Sequence, residues 1–170
     1  MKAQIITTFL IFTLIGCTTS EPQLLSVDNI YQIELPSDMS PMTTEINMVA
    51  SLQYANLFKE KYIMIIHEEK SEVNEAFQYS IDLQKFTKII VQGYEESFNC
   101  VANISDISID GFNGNMVKMD GELDGINITW HAILIESKSY FYQICFWTLT
   151  NRKKKHMEGL FNSAKTFHEL

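Results

Sequence analysis

Histidines, cysteines and closely spaced carboxylates are the side chains of this sequence best suited to chemistry, and their spacing decides what chemistry is open to them. The four histidines, His67, His131, His156 and His168, belong to no HExxH pair, and the chain has no GxSxG elbow and no P-loop. His67, Glu68 and Glu69 are consecutive in a run of strand formers, so they point alternately to opposite faces and cannot all ligate one ion. Asp120, Glu122, Asp124 and Gly125 have the spacing that opens a calcium loop, with ligands at positions one, three and five before a glycine at six. The twelfth position, which needs a bidentate Glu, is His131. Ile126, Ile128 and Trp130 follow the glycine in strand alternation, so the segment reads as a hairpin turn. His131 follows Trp130 and faces the other side of the sheet, as a half-exposed strand histidine. Nothing here implies a catalytic residue, a metal or a cofactor, and the expectation is a protein that is not an enzyme.

Cysteine chemistry is more informative. Lys2 opens the chain as a positive n-region and residues 5–15 are almost uninterruptedly apolar. That is too short for a spanning helix, which needs roughly 20 such residues, and it has the make-up of an export signal. The tetrad Leu14, Ile15, Gly16, Cys17 resembles the lipobox of bacterial lipoprotein precursors. The resemblance implies that residues 1–16 are cleaved and that the Cys17 thiol accepts lipid, making the bilayer a partner and the cell envelope the location. Thr18 is not the Asp that retains many such proteins in the inner membrane. The outer membrane is therefore favoured in a cell with two membranes, and the outer face of the plasma membrane otherwise. Of the remaining cysteines, Cys100 and Cys145, the second lies in an apolar run where a thiol serves as a small hydrophobe; an oxidising compartment would also permit the two to pair. The formal charge of −8 argues against nucleic acid as a partner, because phosphate binding needs the opposite sign.

Two further groups are candidates for contact. Arg152, Lys153, Lys154 and Lys155 fall in the first turn of a C-terminal helix, where positive charge opposes the helix dipole. They are a candidate membrane-facing patch near anionic headgroups, or a solvated polar face. Tyr140, Phe141 and Trp147 belong to a strand apolar on both sides. Such a strand is either central and doubly covered or a candidate partner face.

The elements that must position these residues follow from periodicity. Residues 17–29, the lipidated Cys and a Thr, Ser, Glu and Pro-containing stretch, read as a tether, and residues 30–170 as one domain, large enough for a genuine core. Tyr31, Ile33 and Leu35 alternate up to Pro36, predicting a strand. Met48, Ala50, Leu52 and Tyr54, then residues 62–67 after the polar turn at Lys59 to Lys61, predict a hairpin. Ser71 as N-cap, with Val73, Ala76, Phe77, Ile81, Phe86, Ile89 and Ile90 up to Gly93, predicts one long helix. From Ile104, turn signals at Asp110-Gly111, Asn113-Gly114, Asp124-Gly125 and residues 137–139 delimit four antiparallel strands. Asn151 then caps a final helix with Met157, Leu160, Phe161 and Ala164 on its apolar face. The class is α+β: an antiparallel sheet of six to seven strands packed against one long and one C-terminal helix.

In that order of elements, four segments resemble the PsbP-like superfamily: Ile33 to Pro36, Asp110 to Gly114, Tyr142 to Thr148, and Ser163 to Phe167. The superfamily includes the extrinsic protein of the oxygen-evolving photosystem, a transport factor that binds a small GTPase, and small bacterial lipoproteins. The resemblance implies an α/β/α sandwich and no shared activity. The expected function is a non-catalytic envelope module that binds another envelope protein. A small-molecule carrier or sensor with a pocket between helix and sheet is the alternative, and a hydrolase a more distant one.

Overall fold

The computed structural model describes residues 21–170; the leader and Cys17 lie outside the described residues. Ten strands and three helices follow in the order β1 (Gln23–Val27), β2 (Tyr31–Leu35), β3 (Ser40–Pro41), β4 (Leu52–Asn56), β5 (Lys61–Glu69), α1 (Lys70–Phe77) and α2 (Leu83–Phe98). The second half holds β6 (Asn103–Ile109), β7 (Phe112–Leu123), β8 (Ile126–Glu136), β9 (Tyr140–Leu149), α3 (Lys153–Ala164) and β10 (His168–Glu169). Seven strands form one antiparallel sheet, ordered β3-β4-β5-β9-β8-β7-β6, and β1-β2-β10 form a second, smaller one.

The large sheet is covered on both sides, which is why its central strands are apolar on both. On one face Ile63, Ile65, Ile133, Tyr142, Ile144 and Phe146 pack against Tyr31, Ile33 and Leu35 of β2 and Met157, Leu160 and Ala164 of α3. On the other, Met64, Ile66, Val117, Ala132, Leu134 and Cys145 pack under Val73 of α1 and Phe86, Val91 and Phe98 of α2. The α+β sandwich is therefore the one the periodicity calls for, with the small sheet as an additional layer.

Several local expectations change. The stretch read as a tether carries β1: Gln23 to Val27 pair with Leu35 to Tyr31, and Leu25 and Val27 pack on the core. The helix expected over residues 71–93 is broken in two. Gln78 takes the left-handed conformation (φ 60°) and ends α1, and the Asn74 side chain accepts the Ile81 N–H at 2.7 Å. Asp82 then caps α2 by accepting from the Lys85 N–H. Local side-chain acceptors thus compete successfully with continuation of the helix. The cap of α1 is at Glu69, without a side-chain bond, and not at Ser71. Gly93 is internal to α2, whose end is set by Asn99 at φ 46°.

Of the glycine turns, Asp110-Gly111 and Asp124-Gly125 have positive φ at both positions, the geometry of two-residue hairpins. Asn113-Gly114 lies inside β7 instead. A Cβ at Gly114 would sit 2.7 Å from the Leu134 carbonyl oxygen, so that glycine permits close strand approach. Asn151 falls in a 3-10 turn (Thr150–Arg152), and α3 starts behind it with no side-chain cap.

Candidate functional site

Where β5 runs directly into α1, the start of both helices on this face is tied to one carboxylate. Glu136, at the end of β8, forms an ion pair with Lys70 at the first turn of α1. Its second oxygen accepts the Leu83 N–H at the head of α2, at 2.7 Å. The Lys70 ammonium also lies 5.5 Å from the centre of the Phe141 ring. With their N-termini fixed, the end of α1 and the middle of α2 diverge around a cleft of about 610 Å³. Val73, Phe77, Ile89 and Ile90 line it together with Tyr140 and His67, and Glu68, Glu69 and Glu72 contribute carboxylates. Val49 joins the rim from the loop before β4, and the neighbouring Met48 is 91% exposed. Phe77 is itself exposed and meets Tyr79 edge to face, with centroids 6.0 Å apart.

Beneath the cleft a polar chain crosses the helix–sheet interface. Tyr94 OH donates to Gln143 Oε1 at 2.9 Å, and Gln143 Nε2 donates to Glu68 Oε2 at 3.1 Å. The same phenol lies 3.2 Å from Cys145 Sγ. Burial pushes the Cys145 thiol up to about 12 and the Tyr94 phenol well above its usual range. Cys145 is therefore held as the neutral thiol, a poor nucleophile. Cys100 and Cys145 are both free, with no disulfide between them.

His67 sits at the edge of the cleft with its Nδ1 3.0 Å from Ser51 Oγ. That hydroxyl also meets Tyr31 OH at 2.8 Å and donates to the Ile65 carbonyl at 3.2 Å. Desolvation raises the Tyr31 phenol far above its normal range. Rings of Tyr31 and Tyr140 stand edge-on to the imidazole, at 6.0 and 5.5 Å. The hydroxyl's bonds tie β2, β5 and the segment before β4 together, a positioning role for this cluster.

The residues singled out by spacing are dispersed. Of the aromatic candidates on β9 only Tyr140 reaches the cleft. Phe141 is fully buried and stacked on Phe86 at 4.4 Å, and Trp147 is buried against Trp130 at 4.3 Å. Of the two alternatives for this strand, a doubly covered central position or a partner face, Phe141 and Trp147 take the first, because β9 has β5 and β8 on its two sides and packed layers above and below. The basic run also divides. Lys153 pairs with Asp120 at 2.7 Å, Arg152 Nη1 donates to the Phe58 carbonyl at 3.0 Å, and Lys154 and Lys155 are exposed. Asp120 is held below the usual carboxylate range by Lys153 and Thr129 against the opposing effect of burial. His131 is buried, not half-exposed. Phe77, Ile89 and Ile90, which by spacing belong to a core-facing helix stripe, line the cleft instead. The carboxylates Glu68, Glu69 and Glu72 beside that stripe were the signal that it borders solvent. No helix among the described residues is long and apolar enough to cross a membrane.

No protein-family model matches the chain, and no curated protein matches it. Solved structures do. Cyanobacterial PsbP from Synechocystis superposes with a TM-score of 0.62 at 11% identity, over 94% of this chain and 99% of its own. LpqN of Mycobacterium tuberculosis, described as involved in cell envelope biogenesis, superposes with a TM-score of 0.59 at 13% identity, over 91% of this chain and 87% of its own. A protein of unknown function from Pseudomonas aeruginosa matches with a TM-score of 0.51 at 11% identity, over 86% of this chain and 96% of its own. Sheet order, the two covering layers and these superpositions agree on one architecture: the chain has the PsbP-like fold.

Proposed function

We propose that the chain is a non-catalytic accessory lipoprotein of the cell envelope, anchored through Cys17, whose cleft beside α1 and α2 receives a segment of an envelope protein. The observation that carries the partner reading is the cleft itself: the exposed apolar side chains of Phe77 and Val49, with Met48 exposed next to Val49 in the chain, beside the carboxylates of Glu68, Glu69 and Glu72. That combination suits an apolar segment bearing Lys or Arg, since apolar contact supplies affinity and the carboxylates supply register and sign. The fold it shares with LpqN, an envelope protein by its description, supports the compartment, as do the leader and the tetrad ending at Cys17. In a cell with two membranes the outer one is the expected site.

A photo-crosslinking residue at Phe77 tests the partner reading in cells. A discrete adduct is expected there, absent from the same label at exposed Asn162 and lost when Glu69→Lys and Glu72→Lys are added. The same adduct pattern at both positions overturns it. The anchor is tested separately by fatty-acid labelling and fractionation of Cys17→Ser, which should lose both label and membrane association. A second reading, a small-molecule carrier, is favoured by the cleft volume, which lies in the range typical of ligand sites, ~300–1,000 Å³. Native mass spectrometry of the purified protein would reveal it as a bound mass that Phe77→Asp removes.

A further inference from the structure

The turn joining β4 to β5, residues 57–60, is built against the usual rule for hairpin tips, which favour Gly, Asn and Asp. It presents Leu57, 64% exposed, and Phe58, 89% exposed, to solvent. The tip is nonetheless firmly held. The Lys59 N–H donates to Asn56 Oδ1 at 2.9 Å, and Arg152 bonds the Phe58 carbonyl. Thr148 donates to the Glu60 carbonyl at 2.6 Å, and Tyr62 OH donates to the Glu60 carboxylate at 2.6 Å. A braced loop that keeps an aromatic ring in water has a preorganised apolar contact to offer.

Cations gather around it in a chain that is acidic as a whole. Lys59 in the tip and Lys61 just after it share Asp38, at 2.6 and 2.7 Å; Arg152 reaches in from α3's head, and Lys154 and Lys155 follow it in the chain. Against these five stand Asp38, Glu60 and, across the surface cleft that Lys59 and Lys61 line, Glu34. The convergence is visible at buried His156, whose proton affinity is lowered by desolvation and then by Lys61, Lys155, Arg152 and Lys59. The chain also enters the domain here. Pro22 lines a surface cleft together with Lys59 and Lys61, and it stands five residues after Cys17, a span of at most ~18 Å when extended.

We infer that the β4–β5 tip is a second membrane contact, with Leu57 and Phe58 entering the interface of an anionic bilayer and Lys59, Arg152, Lys154 and Lys155 lying against its headgroups. An apolar pair ringed by cations is the composition that binds such a surface through burial and charge together. The proposed anchor supplies only proximity, so the contact is testable without it.

The test uses residues 18–170, which contain every residue of both cores, with circular dichroism confirming the fold. Sedimentation with vesicles of phosphatidylcholine alone and with 30% phosphatidylglycerol should show binding to the anionic vesicles only, abolished by high salt. Phe58→Ser should weaken it about tenfold, and Lys154→Gln with Lys155→Gln together about 25-fold, each lysine being worth ~5-fold near such a surface. In the acylated full-length protein, Phe58→Trp should be quenched by brominated lipid, with Trp130 and Trp147 giving the background. Equal binding to both vesicles, or binding unchanged by Phe58→Ser, overturns the inference. Loss of membrane association by Cys17→Ser without any of these effects would leave the anchor standing and the tip refuted. The converse pattern would refute the anchor alone.

Discussion

Lowering the pH from 7 to 5 should weaken the fold chiefly through His131. The imidazole lies on β8, 9% exposed, edge-on to Phe146 at 5.6 Å and opposite Lys118 on β7. Burial depresses its pKa most, Lys118 and Lys153 add to the effect, and Asp120 opposes it, leaving the group at about 4 instead of 6.5. Because the folded value is the lower one, the unfolded chain binds the extra proton between pH 6.5 and 4. Stability is therefore full above 6.5, falls as the pH drops through that window, and changes no further on this account below 4. The linkage integral between pH 7 and 5 with those two values is about 2 kcal/mol. Urea unfolding followed by circular dichroism at the two pH values measures it. His131→Gln should remove about 2 kcal/mol of pH dependence while leaving the contribution of His156, which shifts in the same direction. Parallel pH profiles for parent and variant would refute the account of a buried neutral imidazole.

Gly93 in α2 and Gly159 in α3 have open space where a Cβ would stand. Gly93→Ala and Gly159→Ala should each raise stability by ~0.5–1 kcal/mol, seen as a higher urea midpoint at unchanged slope. Tyr94→Phe strips the donor from Gln143 in a nearly dry interface and should cost ~1–3 kcal/mol. Combined with Gln143→Leu it should cost less than the sum of the two single changes by about 1 kcal/mol, whereas strict additivity in a double-mutant cycle would deny the chain its coupling.

What could be read in advance was what local chemistry settles. Tyr31, Ile33 and Leu35 are each buried while Glu34 between them is exposed, as a two-residue period requires, and both Asp-Gly pairs adopt the turn their φ preference selects. The break after Phe77 was hidden because Ile81 continues the apolar spacing; only the bonds from Asn74 and at Asp82 reveal that the chain turns there. The cleft depends on that break, so its residues looked like a core stripe. β1 was hidden for a related reason: Leu25 and Val27 become core only when β2 lies beside them. In β9 alternation fixes which residues share a side and is silent on how many sides are covered. The exposure of Phe58 is a tertiary fact, invisible to any local period.

The two proposed contacts lie at opposite ends of one strand. β5 begins at Lys61, beside the tip and the chain's entry, and ends at Glu69, in the cleft. The eight steps of ~3.3 Å between its nine residues set these ends some 26 Å apart. Their charges are also opposed, with cations at the first end and Glu68, Glu69 and Glu72 at the second. An anionic bilayer that attracts the tip must therefore repel the cleft, and the proposed lipid anchor and the field of the headgroups favour the same upright pose. In that pose a peptide lying flat in the membrane is out of reach. The cleft is then left to a partner that stands clear of the headgroups by more than two Debye lengths at physiological salt, where attraction to its carboxylates no longer competes with the lipid surface.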